Sequence, residues 1–121
     1  MDSKSSFKKQ KFQDRILHEL NLMVRTELSD YRLGMISFTQ VKLSKDNSYA
    51  EITWDIFDRS RRGDAKRAVT SASGKLRTLL AQRMQVRTVP ELRFEYDSQF
   101  EEEEKIADIL KSERSKLEKG E

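Results

Sequence analysis

The run YAEITWDIF, Tyr49 to Phe57, alternates without a break. Ala50, Ile52, Trp54 and Ile56 fall on one side, and Tyr49, Glu51, Thr53 and Asp55 on the other. Such a period describes a strand with one face in a core and the other toward water. Trp54 therefore belongs to the core rather than to a base-stacking platform. Met35 to Leu43 mixes β-branched and aromatic residues, and SKDNS (Ser44 to Ser48) between the two runs is turn chemistry, so an antiparallel hairpin is expected. After the connector VRTVP (Val86 to Pro90), Leu92, Phe94 and Tyr96 mark a third strand with an apolar inner face.

Two helices frame these strands. Phe12, Ile16, Leu20, Met23, Val24 and Leu28 recur at three- and four-residue spacing, which is one buried helical face. His18, the single histidine, falls on the opposite face with Lys11, Arg15 and Arg25, as a surface residue. Gly34 is a stop or turn residue before the first strand. The basic loop DRSRRGD (Asp58 to Asp64) leads into a second helical segment that carries TSASGKLRTLL (Thr70 to Leu80) in its middle. A glycine in a helix interior costs about 1 kcal/mol relative to alanine. At 100° per residue the apolar stripe turns by roughly 45° between Ala65, Ala68, Val69, Ala72 and Leu76, Leu79, Leu80, Met84. A bend at Ser73–Gly74 is therefore expected, with Gly74 on the outward side.

Cations surround that bend: Arg59, Arg61 and Arg62 before it, Lys66, Arg67, Lys75 and Arg77 along it, Arg83 and Arg87 beyond it. The charge of the whole chain, +3, conceals a division. Through Asp97 there are 19 Lys and Arg against 13 Asp and Glu, and from Ser98 onward 5 against 8. A basic body with an acidic tail fits an anionic partner. Backbone N–H groups at a helix N-terminus, with lysines and arginines nearby, hold phosphates. No exposed aromatic set accompanies these charges, so the pattern is one of backbone binding rather than base reading. A charged, solvated helix with an incidental glycine is the alternative reading of the same residues.

Other chemistry has little to stand on. The chain has no cysteine, one histidine and no Gly-rich phosphate loop. Its paired carboxylates lie in the tail run FEEEEK (Phe100 to Lys105). No catalytic residue, metal ligand or cofactor is assigned. No stretch approaches the roughly 20 apolar residues of a membrane span. The opening MDSKSSFKKQK lacks the apolar centre of a secretory signal, so the cytoplasm is the expected compartment.

Three stretches carry a family resemblance. RLGMISFTQVKLSKD resembles the helix-to-strand entry and first turn of ribosome-binding factor A proteins. SASGKLRTLLAQRMQVRTVPELRFEYDS is similar to their helix–kink–helix and last strand, with VPELRFEYD (Val89 to Asp97) the most specific part. Ala72, Ser73 and Gly74 fit the family's Ala-x-Gly kink. The likeness covers about residues 12 to 112. It implies an α+β, type II KH-like domain ordered α-β-β-α-kink-α-β, with helices on one face of a three-stranded sheet. In this family the Ala-x-Gly interruption stands where RNA-binding KH domains carry a glycine-rich loop. Without the second glycine of Gly-x-x-Gly, duplex or structured rRNA is the expected substrate rather than a clamped tetranucleotide. Asp30-Tyr31-Arg32 departs from the Asp-Pro-Arg common before the first strand, which frees the turn without changing the fold.

The function the resemblance implies is that of a non-enzymatic, cytoplasmic bacterial assembly factor. It binds free small ribosomal subunits and supports late maturation and 5′-end processing of their rRNA, and growth in the cold. The adjacent bases, Arg59, Arg61, Arg62, Lys66, Arg67, Lys75, Arg77, Arg83 and Arg87, are then the rRNA contacts. Ribosomal proteins and an assembly GTPase are candidate further partners, and a monomer with no membrane contact is expected. A generic basic RNA-binding or protein-interaction module is the alternative. Residues 1–10 read as a flexible basic arm, 11–98 as the KH-like domain, and 99–121 as an acidic tail, partly helical or disordered. The tail reads first as a solubilising segment, with docking of basic ribosomal proteins or shielding of the RNA face as its functional alternatives. The lysines Lys4, Lys8, Lys9 and Lys11 are left open as additional contacts.

Overall fold

The computed structural model describes residues 3–118. Helix α1 (Ser3–Thr26) is followed by a short α2 (Tyr31–Gly34), the strands β1 (Ile36–Leu43) and β2 (Tyr49–Ile56), helix α3 (Arg62–Met84), strand β3 (Glu91–Tyr96) and helix α4 (Gln99–Glu118). β2 is the central strand, antiparallel to β1 and parallel to β3. A parallel pair needs a long crossover, which α3 supplies. α1 and α3 pack on one face of the sheet, as expected.

The alternation in β2 sends Ala50, Ile52, Trp54 and Ile56 into the core, with Ile16, Leu20 and Met23 of α1 and Leu76 and Leu80 of α3. Trp54 meets Tyr96 edge-on, ring centroids 5.0 Å apart. In β1 the inward residues are Ile36, Phe38, Val41 and Leu43, a parity change that a bulge between Phe38 and Gln40 produces. Asn21 of α1 closes that bulge. Its Nδ2 donates to the Phe38 carbonyl at 3.0 Å, and its Oδ1 accepts from the Phe38 N–H at 2.8 Å. Gln13 Oε1 accepts from the Leu43 N–H at 2.8 Å. Two α1 side chains thus satisfy backbone groups of an edge strand.

Four expectations are corrected. First, α3 is one uninterrupted helix, and Ser73–Gly74 lie inside its run rather than between two helices. The outward position of Gly74 holds, since it is exposed and nothing lies within 4 Å of where a Cβ would stand. Packing on either side of the glycine outweighs its local cost. Second, residues 3–10 continue α1 instead of forming an irregular arm, while Met1 and Asp2 lie outside the described residues. Third, the tail expected to be partly helical or disordered is a continuous helix α4 as far as Glu118; its residues 119–121 lie outside the described residues. Fourth, the basic loop is ordered: Arg59–Arg61 form a 3-10 turn, in which Asp58 accepts from the Ser60 N–H at 3.1 Å. The bond from the Ser60 hydroxyl, and then that one, hold the Asp58 carboxyl below its ordinary range.

Candidate nucleic-acid interface

The predicted contact residues separate by their partners. Arg59, at the start of the 3-10 turn, lies 3.6 Å from Glu101 and 3.7 Å from Glu104 of α4. Arg62, opening α3, reaches Glu101 at 3.1 Å. Arg61 pairs with Asp58 at 3.7 Å, and Arg67 with Asp64 one helical turn back. Arg83 is held by two α1 carboxylates, Glu19 at 2.6 Å and Glu27. The hydrogen bond it donates to Glu19 is the first reason that its guanidinium is raised above the ordinary arginine range. Arg83 is a tie between α3 and α1.

The others are differently placed. Lys66, Lys75 and Arg87 are exposed and form no ion pair among the described residues. Arg77 donates through one guanidinium nitrogen to the Val89 carbonyl at 3.0 Å, which fixes the connector before β3. Lys66, Thr70, Ser73 and Arg77 recur at helical spacing and share the outward side of α3 with Gly74. Ala72 is half-buried, facing a shallow depression of about 220 Å³ that Lys75 also lines. So Lys66, Lys75, Arg77 and Arg87 keep charge directed outward. The other five arginines share theirs with carboxylates, Arg59 and Arg83 largely covered and Arg61, Arg62 and Arg67 still more than half exposed.

The end of the sheet near the expected acidic tail is also organised. Tyr96 donates its hydroxyl proton to Glu101 at 2.7 Å. Burial first, then that hydrogen bond, push the Tyr96 phenol up to about 12. Glu101 therefore receives a tyrosine and two arginines, and it seats the first turn of α4. Local sequence offers no signal for these cross-chain carboxylates.

Among the described residues there is no cluster of three or more His, Asp or Glu that would hold a metal ion. No helix among them is long and apolar enough to cross a membrane. His18 is exposed on α1, with no triad around it.

Comparison with known proteins gives one answer. The family model described as ribosome-binding factor A matches residues 8–110. The ribosome-binding factor A of Hahella chejuensis is 34% identical over 110 residues, 85% of this chain and 82% of the relative. That of Dechloromonas aromatica is 36% identical over 88 residues, 73% of this chain and 72% of the relative. Among solved structures, the crystal structure of ribosome-binding factor A from Thermus thermophilus matches with a TM-score of 0.64 and 31% identity, over 73% of this chain and 93% of that one. A Thermus thermophilus ribosome binding factor A fitted into a cryo-EM map of a 30S–RbfA complex matches with a TM-score of 0.58 and 28% identity, over 70% of this chain and 90% of that one. The α+β, KH-like architecture expected from the sequence is the one these structures share.

Proposed function

The chain belongs to the ribosome-binding factor A family, and from that premise we propose that it is a small-subunit assembly factor. It binds the free small ribosomal subunit and supports late maturation and 5′-end processing of its rRNA. It works in the cytoplasm, and by positioning RNA rather than by catalysis. The 30S complex of the Thermus thermophilus relative supports the choice of particle. The observation that carries the reading for this chain is the outward side of α3. Lys66 lies there without a carboxylate partner among the described residues, and Arg77 and Arg87 extend the positive surface toward β3, while Lys75, half a turn round the helix from Lys66, stands unpaired on the flank beside Ala72. Point charges on exposed stems suit phosphates, whose neutralisation releases counterions and makes affinity fall with salt.

Arg59, Arg61, Arg62 and Arg67 flank this surface as a reserve of charge held by Asp58, Asp64, Glu101 and Glu104. The test is the double variant Lys66→Glu/Lys75→Glu, whose side chains are exposed. Co-sedimentation with free small subunits is expected to be lost while the thermal unfolding curve stays that of the parent. Undiminished binding would overturn the assignment of α3 as the contact.

A further inference from the structure

At the end of the sheet remote from the Arg59–Glu101 contact, α1 and the β1–β2 turn enclose a depression of about 590 Å³ lined by Lys8, Lys9, Phe12, Lys45 and Asn47 among others. Beside it lies another of about 390 Å³, whose walls include Phe12, Asn47, Arg77 and Thr88. Phe12 and Asn47 are common to both, so the two form one groove running from the start of α1 to α3. Four cations line it, Lys8, Lys9, Lys45 and Arg77, and no carboxylate does among the described residues. Its neutral polar groups, Ser6, Asn47, Ser48 and Thr88, are hydroxyls and an amide.

The groove is held in shape. Lys9 Nζ donates to the Ser44 carbonyl at 2.8 Å, tying α1 to the turn. Asn47 sits at the turn tip with φ of 60°, a left-handed conformation that asparagine tolerates. Asp46, the carboxylate of this turn, is directed onto its neighbours: its Oδ1 accepts from the Ser48 hydroxyl at 2.7 Å, the Ser48 N–H at 3.1 Å and the Ser44 hydroxyl at 2.9 Å. Those bonds, the Ser48 hydroxyl first, lower its carboxyl to about 2. The next depression around the edge strand shares Lys9 and Leu43 with the groove, and Asp14 on its wall accepts from the Gln10 amide.

From this arrangement we infer that the Lys8–Lys9–Lys45–Arg77 groove is a second seat for the RNA sugar–phosphate backbone, continuous through Arg77 with the outward side of α3. Lysines supply point charges, and Asn47 and the Thr88 hydroxyl supply neutral contacts of the kind that phosphate and sugar oxygens take from proteins, the Ser48 proton being already given to Asp46. Nothing in the groove is arranged to read a base edge, so it adds affinity and register rather than sequence choice. The inference rests on the small-subunit reading and gives the lysines of α1 a use.

The test compares Lys8→Gln/Lys45→Gln with the control Lys111→Gln/Lys116→Gln on α4, all four lysines being exposed. Binding to free small subunits and to deproteinised small-subunit rRNA is followed across a salt series. Each lost phosphate contact is worth about 0.7 to 0.9 in the slope of log affinity against log salt. The groove variant is expected to bind roughly tenfold more weakly, with a slope shallower by about 1.5, on both targets. The control is expected to match the parent. An unchanged slope and affinity would overturn the groove. So would a loss seen with subunits but absent on naked rRNA, which would assign the groove to an acidic protein surface. Failure of the unsubstituted protein to bind small subunits would instead overturn the functional reading, and the naked-rRNA arm would still decide the groove.

Discussion

Arg62 and Glu101 meet at 3.1 Å across 39 positions of sequence, joining the first turn of α3 to the first turn of α4. The leading carboxylate of the acidic segment thus faces the guanidinium groups of both Arg59 and Arg62. Glu101→Gln removes that charge and keeps an oxygen for the Tyr96 hydroxyl. Exposed ion pairs contribute only about 0 to 1 kcal/mol, so stability should change within that range. Affinity for small-subunit rRNA at low salt should rise several-fold, and the gain should shrink as salt screens it. Filter binding of the variant checks this. Unchanged affinity would mean that Arg59 and Arg62 do not face RNA.

Gly74 lies on the solvent side of an uninterrupted helix with room for a methyl group. Gly74→Ala should therefore stabilise the protein by about 1 kcal/mol, a rise of roughly 3 to 5 °C in thermal midpoint. Calorimetry decides it. A lower midpoint would mean that the helix needs glycine's backbone freedom at this point.

The Asn21–Phe38 pair predicts a larger effect. Asn21→Ala leaves the Phe38 N–H and carbonyl at the bulge without their α1 partner. The expected loss is about 1 to 3 kcal/mol in denaturant unfolding, with faster amide exchange at Phe38. A cost within experimental error would show that water replaces the asparagine at this edge.

Tyr31 occupies the first position of α2, after Asp30, which is extended and whose side chain accepts from the Arg32 N–H at 3.0 Å. Proline suits a first helical position, and a preceding residue in the extended region accommodates it. Tyr31→Pro should stabilise by about 0.4 to 1 kcal/mol by restricting the unfolded chain. Destabilisation measured in urea would contradict this account of the turn.

Tyr96 sets an alkaline limit. Its phenol is raised to about 12 in the folded protein, against about 10 for an unfolded tyrosine. The folded state thus holds this proton more tightly, so its contribution is full below about pH 10 and is lost as pH rises toward about 12. Stability should decline over that window, and Tyr96→Phe should flatten the decline. An identical pH profile for the two proteins would contradict the assignment.

Much of this fold was legible. The parity of Ala50, Ile52, Trp54 and Ile56 fixes β2, and the three- and four-residue spacing of Ile16, Leu20 and Met23 fixes the buried face of α1. The bulge was not, because Thr39 reads as an ordinary strand residue and only the inward turn of Val41 reveals the extra position. The continuity of α3 runs against its local signals for a physical reason. Propensity at Ser73–Gly74 opposes helix, but Val69 and Leu76 anchor the chain to the core on either side. The candidate interface was legible as composition and not as pairing. Glu19, Glu27 and Glu101 reach their arginines from other helices, at separations no local pattern records. Arg83 did carry a signal: at 100° per residue it falls about 20° from Ala72, on the buried side, where a cation needs a protein partner. The lysines of α1 and Lys45 of the hairpin turn gave no such signal, since only the fold brings them to one groove.

The central claim is that this protein recognises the free small ribosomal subunit through a phosphate-binding surface on α3. Its most direct test is co-sedimentation with free small subunits, large subunits and assembled ribosomes, at low and at moderate salt. Binding confined to free small subunits, and weaker at the higher salt, is the expected result. Equal binding to every RNA-containing particle, or none to the small subunit, would contradict the account.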